Sequence, residues 1–378
     1  LLNSVGLLLQ VNTMIRIALD LFRLLLCLPV LYFLPILVQA ESPAAGCEPA
    51  GDYHYLCGVQ SAEDLVLVPG TSFIIASGYG QGEPFYLIDA GAKTWSELKP
   101  ADTRPASMDA GTFPACPGPP DYGDMVTHGL NIRGTDNGKS ILYAVGHGAR
   151  EAIEVFEVDA VGGRPVLTWS GCVPLTDGLE ANSVASLRDG SLLVTVPLRP
   201  GSTISDAMAG KSTGAVYSWS PGDEAFEAVE GTQMPYPNGI EVSADEKRFF
   251  VASSGRFTIT AYARENPSRL LRTSRTMVII PDNLHMGPDG QLITAGLAIA
   301  HPGCGKIERG VNFVLEEFAA CPRPFVVKAI DPDTLEISNL AEGPANAKFS
   351  NVTMALPVGG ELWIGTFAGD RVAYRSLK

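Results

Sequence analysis

Six times along this chain a short apolar strand enters a tight turn and a second apolar strand leaves it. That recurrence restricts the fold more than any other feature. The copies are Leu65–Gly70 then Phe73–Ile75, Asn131–Gly138 then Ile141–Tyr143, Val184–Gly190 then Leu192–Val194, Ile240–Glu246 then Phe249–Val251, Leu284–Gly290 then Leu292–Ile293, and Met354–Gly360 then Leu362–Ile364. They lie roughly 45 to 70 residues apart, the spacing of a supersecondary repeat. Asp-Gly, Asn-Gly and Gly-Gly supply the positive φ that hairpin turns need. Further strand-like runs fall between the copies, such as Glu154–Val158 and Ala215–Trp219. Six four-stranded blades of about 50 residues each use about 300 residues. The pattern predicts an all-β fold, a six-bladed β-propeller with four-stranded blades. A sandwich or two small β domains would leave six copies of one hairpin unexplained.

The N-terminus reads differently. Met14-Ile15-Arg16 precedes an apolar run, Leu24–Val38, and Val38-Gln39-Ala40 resembles a small-residue cleavage site. Residues 1–40 are therefore expected to be a secretory signal, or a signal anchor if uncleaved, with Met14 a candidate start. Residues 41–378 would form a single propeller domain, secreted or held outside the cytosol, and any membrane association would run through residues 14–40. Cys27 lies in the leader; Cys47, Cys57, Cys116, Cys172, Cys304 and Cys321 remain, an even count that suits disulfides in an exported chain. Proximity favours Cys47–Cys57 and Cys304–Cys321, which leaves Cys116–Cys172. A formal net charge of −14 argues against a nucleic-acid partner, which needs a basic face. Asn351-Val352-Thr353 is an N-glycosylation sequon, yet it begins the sixth inner strand, where a glycan would have to face solvent.

Six or seven residues before the turns stand Glu63, His128, Asn182, Asn238 and Asn283, with Asp282 beside the last. In a propeller the innermost strands start near the central axis, so residues in equivalent registers converge there. Two carboxylates and three amide oxygens form a hard, oxygen-only set that suits Ca²⁺ and suits zinc poorly. No G-x-S-x-G, H-E-x-x-H, P-loop or dinucleotide fingerprint is present, which removes the usual serine hydrolase, zinc protease and nucleotide classes.

Glu63-Asp64-Leu65, His128-Gly129, Val145-Gly146-His147, Asn182, Asn238-Gly239-Ile240 and Pro281-Asp282-Asn283 together resemble the paraoxonase/arylesterase family, part of the wider gluconolactonase and strictosidine-synthase-like group of six-bladed propellers. The resemblance runs from about residue 57 to the C-terminus. It implies that Glu63, Asn182, Asn238, Asp282 and Asn283 hold a catalytic calcium, that His128 and His147 form a histidine dyad beside it, and that Asp64 belongs to a second, structural calcium. One departure bears on that second ion: the family commonly has Asp after the residue matching Asn182, and here Ser183 follows. Nor does the C-terminal stretch Val372–Ser376 carry the cysteine that ties that family's N-terminal region to its chain end.

The resemblance implies a calcium-dependent hydrolase of carboxylic esters, lactones or aryl esters, acting on a small-molecule substrate. Calcium would polarise the carbonyl, and His128 would deprotonate water with His147 orienting or relaying. Asp282 as base or nucleophile competes with that assignment. The alternatives are a non-catalytic, calcium-pinned propeller that binds a partner, and a sugar lactonase, which tends to use fewer axial ligands. His285, two residues past Asn283, could line the pocket or simply pack. The segment Ile299–Pro324, which carries Cys304 and Cys321, reads as an insertion that caps or flanks the pocket.

Overall fold

A computed structural model describes residues 46–80, 84–100, 108–176, 178–265, 268–307 and 313–377. The expected leader, 1–40, lies outside the described residues. The first described strand is β1 (His54–Cys57). Five four-stranded antiparallel sheets follow in chain order. They are β2 (Leu65–Leu67) to β5 (Thr94–Glu97), β6 (Met125–Gly134) to β9 (Val166–Pro174), β10 (Ser183–Ser186) to β13 (Glu227–Ala228), β14 (Pro237–Val242) to β17 (Arg269–Thr273), and a fifth of β18 (Leu284–Met286), β19 (Leu292–Leu297), β22 (Phe325–Ile330) and β23 (Ile337–Gly343). In the sixth, β24 (Val352–Val358), β25 (Glu361–Thr366) and β26 (Arg371–Ser376) are joined by β1 as outermost strand, His54 opposite Tyr374 and Cys57 opposite Arg371. The first described strand thus closes the ring by pairing with β26.

All six expected hairpins are the inner two strands of a blade. Four of the six turns share one chemistry. Asn137, Asp189, Asp245 and Asp289 each accept a hydrogen bond at the side-chain oxygen from the main-chain N–H two residues on, at 2.9–3.1 Å. The copy that lacks glycine places Glu246 at φ 56°, held by the Asp245 turn.

Side chains of a strand alternate between two faces, and here both faces are buried against neighbouring blades. That is why β3 (Phe73–Ser77) and β4 (Phe85–Asp89) read as near-continuous apolar runs. Six apolar clusters result, one between each pair of adjacent blades. The last pair closes the circle, with Met354, Trp363 and Val372 of the sixth blade against Leu65, Ile74 and Tyr86 of the first.

Hydrogen bonds between successive inner strands also run round the ring. Leu130 N–H donates to Asp64 Oδ2 (2.8 Å), Gly129 N–H to Asn182 O (3.0 Å), Thr195 Oγ1 to Asn238 O (2.5 Å), Gly239 N–H to Asp282 O (3.2 Å), Asn283 N–H to Thr353 O (3.2 Å), and Thr353 Oγ1 to Glu63 O (2.6 Å).

The three expected disulfides are present: Cys47–Cys57, Cys116–Cys172 and Cys304–Cys321. The last closes the insertion in the fifth blade, which carries β20 (Ala300–His301), β21 (Gly305–Lys306) and a short helix lying between β19 and β22 in the chain. Arg323 fastens it, its guanidinium donating to the carbonyls of Ala298, Cys304 and Gly305. Two short helices are found among the described residues: α1 (Ile204–Met208), capped by Thr203 and Asp206, and α2 (Leu315–Ala320) in the insertion. No helix among these residues is long and apolar enough to cross a membrane.

Candidate functional site on the propeller axis

The inner strands deliver the axial residues by two devices. Glu63, Asn182 and the pair Asp282–Asn283 sit just before β2, β10 and β18, where the chain leaves the ladder. His128 and Asn238 lie within strands, and there the pairing register slips, between Thr127 and Leu130 and between Pro237 and Ile240. Such a bulge frees a residue from the ladder and re-aims its side chain. The glycine after each is required by contact. A Cβ on Gly129 would lie 2.5 Å from Asn182 O, and one on Gly239 would lie 2.4 Å from the Leu284 nitrogen. The motifs His128-Gly129 and Asn238-Gly239 therefore pair an axial side chain with a close backbone approach of two blades.

At the axis the expected residues meet. Asn283 Nδ2 donates to Glu63 Oε1 at 2.7 Å, and Glu63 Oε1 lies 3.7 Å from His128 Nε2. Asn182 Nδ2 is 3.3 Å from the same His128 nitrogen. The Asn238 side chain lies beside Asp282 and favours its ionised form. All five oxygen-bearing residues line or underlie one cavity. Four of their oxygens, Glu63 Oε2, Asn182 Oδ1, Asn238 Oδ1 and Asn283 Oδ1, are buried and have no hydrogen-bond partner. An unsatisfied buried acceptor costs on the order of 1–3 kcal/mol, so four together need a cation or donor. Among the described residues no three His, Cys, Asp or Glu side chains meet as a metal cluster. The axial set is of another kind, two carboxylates and three amides, and its oxygens fit Ca²⁺.

Electrostatics show the same strain. Burial, then the Asp282 and Asp64 charges, hold Glu63 well above the usual carboxylate range. Burial, with Asp64 nearby, pushes Asp282 up to about 7 against the opposing effect of Asn238. Burial, then the adjacent His147, holds His128 well below 6.5, so its ring is neutral.

The two histidines are in contact, His128 Nδ1 to His147 Nε2 at 3.2 Å, because β7 (Ser140–Gly148) returns beside β6 and sets His147 opposite Val126. A carboxylate not foreseen from sequence completes the chain: Glu151 Oε2 lies 2.6 Å from His147 Nδ1. The directions follow from the ends. Asn182 Nδ2 can only donate, so His128 Nε2 accepts and its proton sits on Nδ1. That proton is given to His147 Nε2, and His147 Nδ1–H donates to Glu151. The lone pair of His128 Nε2 therefore faces the axis. Tyr79 lies over this ring, centroids 4.4 Å apart.

The cavity and its mouth hold about 680 Å³. The floor is polar. The walls are apolar: Tyr79, Tyr236, Ile280 and Phe367, with Ile204 and Met208 of α1, and Phe313, Leu315 and Phe318 from the insertion. A polar arm reaches His147 and Glu180. The insertion thus flanks the pocket, as expected. Ser205 Oγ and the Phe313 main chain exchange hydrogen bonds of 2.9 and 3.1 Å. Asn351 Nδ2 donates to Ala319 O at 3.2 Å, and the Asn351 side chain is buried. That residue anchors α2 and is closed to a glycan in the folded chain.

Thr353 was not singled out from the sequence, and of the two readings given for His285 the structure shows packing. Thr353, the sixth-blade counterpart, lines the cavity and lies at a third register slip, between Val352 and Met354. His285 is packed away from the cavity with Asp64 and Glu241; burial works to lower its pKa, but the two carboxylates, Asp64 first, raise it to about 10.

The profile of the SMP-30/Gluconolactonase/LRE-like region matches residues 83–312, more than half of the chain. A search of curated proteins finds no match. Among solved structures, a luciferin-regenerating enzyme is similar over 85% of this chain and 93% of its own, with 14% identity and a TM-score of 0.53. A protein provisionally described as a gluconolactonase covers 88% of this chain and 96% of its own, with 17% identity and a TM-score of 0.50. At these identities the likeness establishes the fold.

Proposed function

The chain belongs to the SMP-30/gluconolactonase/LRE-like family, and from that premise we propose that it is a calcium-dependent hydrolase of lactones and carboxylic esters working on the propeller axis. The observation that carries this reading is the set of four unpartnered buried oxygens beside a neutral histidine whose acceptor nitrogen, Nε2, sits among the side chains that bear them. Glu63, Asn182, Asn238, Asp282 and Asn283 would hold the ion. Bound there, calcium supplies a Lewis acid for a substrate carbonyl oxygen. His128 Nε2 takes a proton from the attacking water and returns it to the departing alkoxide or phenoxide. His147 and Glu151 keep the ring proton of neutral His128 on Nδ1, so that Nε2 stays the basic nitrogen. Asp282, a carboxyl pushed up to about 7, is the competing base.

The walls bear on substrate. Ile204, Met208, Phe313, Leu315 and Phe318 offer an acyl or aryl group apolar contact and offer sugar hydroxyls no partner. They favour apolar lactones and aryl esters over the polyhydroxylated lactones of a sugar lactonase. The three disulfides support the export that the leader implies. The test is hydrolysis by the full chain of phenyl acetate, alkyl-substituted γ- and δ-lactones and gluconolactone, with added calcium and with EGTA. Calcium-dependent turnover of the apolar members supports the reading. Turnover of gluconolactone alone moves the assignment to a sugar lactonase. A folded, calcium-binding chain that turns over nothing makes it a binding propeller.

A further inference from the structure

We infer that the layer around Asp64, one residue along from the axial site, accepts no second cation, and that the imidazole of His285 occupies that place. The inference rests on the calcium reading above only for the first ion. Asp64 is one residue past Glu63 and fully buried, and the family resemblance makes it the ligand of a structural calcium. Its oxygens are spoken for. Oδ1 accepts from Leu65 N–H and lies against His285 Nε2, both at 2.8 Å, and Oδ2 accepts from Leu130 N–H at 2.8 Å. On the other side of the ring, His285 Nδ1 faces Glu241 Oε2 at 3.8 Å. Glu241 in turn accepts from Val242 N–H at 2.8 Å and Met286 N–H at 3.0 Å.

The contrast with the layer above decides the matter. There, four oxygens lack a partner; here, neither carboxylate has an unpartnered oxygen. Calcium takes six to eight oxygens. To recruit Asp64 it would have to expel a buried imidazole and compete with two main-chain donors. Ser183, one residue past Asn182, offers only a neutral hydroxyl where the family pattern has a carboxylate, and that hydroxyl has no hydrogen-bond partner. The ring bridging β2, β14 and β18 through Asp64 and Glu241 does the pinning that a structural ion would otherwise do. Stripping the axial ion with EGTA should therefore leave this pin in place.

Calcium stoichiometry tests it, by equilibrium dialysis with elemental analysis of the full chain. The wild type should hold one ion, and Asp64→Asn should hold the same number. The double variant Ser183→Asp/His285→Asn, which opens Asp64 and Glu241 and restores a carboxylate, should hold one ion more than the wild type, with a calcium-dependent rise in melting temperature that persists when Asn283→Ala is added. Two ions in the wild type, falling to one in Asp64→Asn, would overturn the inference. So would a folded double variant that gains none. A wild type that binds no calcium sinks the axial reading instead, and the Asp64 layer is then judged on the gain in the double variant.

Discussion

Asp282→Asn should stabilise the calcium-free protein while abolishing its response to calcium. In the folded chain Asp282 keeps its proton up to about 7, against 3.8 for the free side chain, chiefly because burial penalises the anion. A group with a raised acid pKa binds more protons in the folded state between those values, so stability falls as pH rises from 3.8 to about 7. About three pH units at 1.36 kcal/mol each amount to roughly 4 kcal/mol of destabilisation at pH 8. With ~2.1 cal/mol/K per residue over roughly 330 residues, that corresponds to a melting shift of about 6 °C. Differential scanning calorimetry in EGTA at pH 8 should show the variant melting higher by about that amount, with the gap closing toward pH 4. In saturating calcium the order should reverse. A variant that melts at or below the wild type in EGTA at pH 8 would refute the claim that these carboxylates are held apart from their ion at a cost.

Other outcomes follow from the same geometry. His128→Gln should lower kcat by about 100-fold or more, the usual loss of a general base, while calcium stoichiometry stays unchanged. Because His128 is held well below 6.5, its own protonation should not cut the rate of the calcium-saturated wild type until the pH is well under that value, which a pH–rate profile reads directly. Glu151→Gln should cost about 10-fold in kcat, by releasing the His147 tautomer, with KM little changed. Phe318→Ala should lower kcat/KM for aryl and long-acyl substrates by about 10-fold, from lost apolar contact, and leave acetate esters of small alcohols almost untouched.

How much of this was legible in the sequence depends on how local its cause is. The six hairpins were legible because their turns are made by side chains within the turn, as Asp189 does for Ser191 and Asp289 for Gln291. Counting back from those turns was enough to find Glu63, Asn182 and Asn283, because an equivalent register places equivalent residues at the axis. Thr353 holds the sixth place, but threonine announces no ligand chemistry. The register slips at His128, Asn238 and Thr353 depend on contacts between blades, such as the approach of Gly129 to Asn182, and one chain's order does not reveal them. Glu151 lies beyond β7, where only the folded return of the strand shows that it reaches His147. The partnership of His285 with Asp64 joins residues 221 apart in the chain. β1 closing the sixth blade likewise pairs residues more than 300 apart, such as His54 and Tyr374. A faint signal existed for the pocket wall: the cysteine-bounded segment between β19 and β22 is too long for a blade connection and carries Phe313, Leu315 and Phe318.

The most direct test of the account is anomalous diffraction from crystals of the full chain grown or soaked with calcium. A single strong peak is predicted on the propeller axis, with Glu63 Oε2, Asn182 Oδ1, Asn238 Oδ1 and Asn283 Oδ1 about 2.3–2.6 Å away and none beside Asp64. No peak there at saturating calcium, with those four oxygens hydrogen-bonded to water or to protein donors, would contradict it.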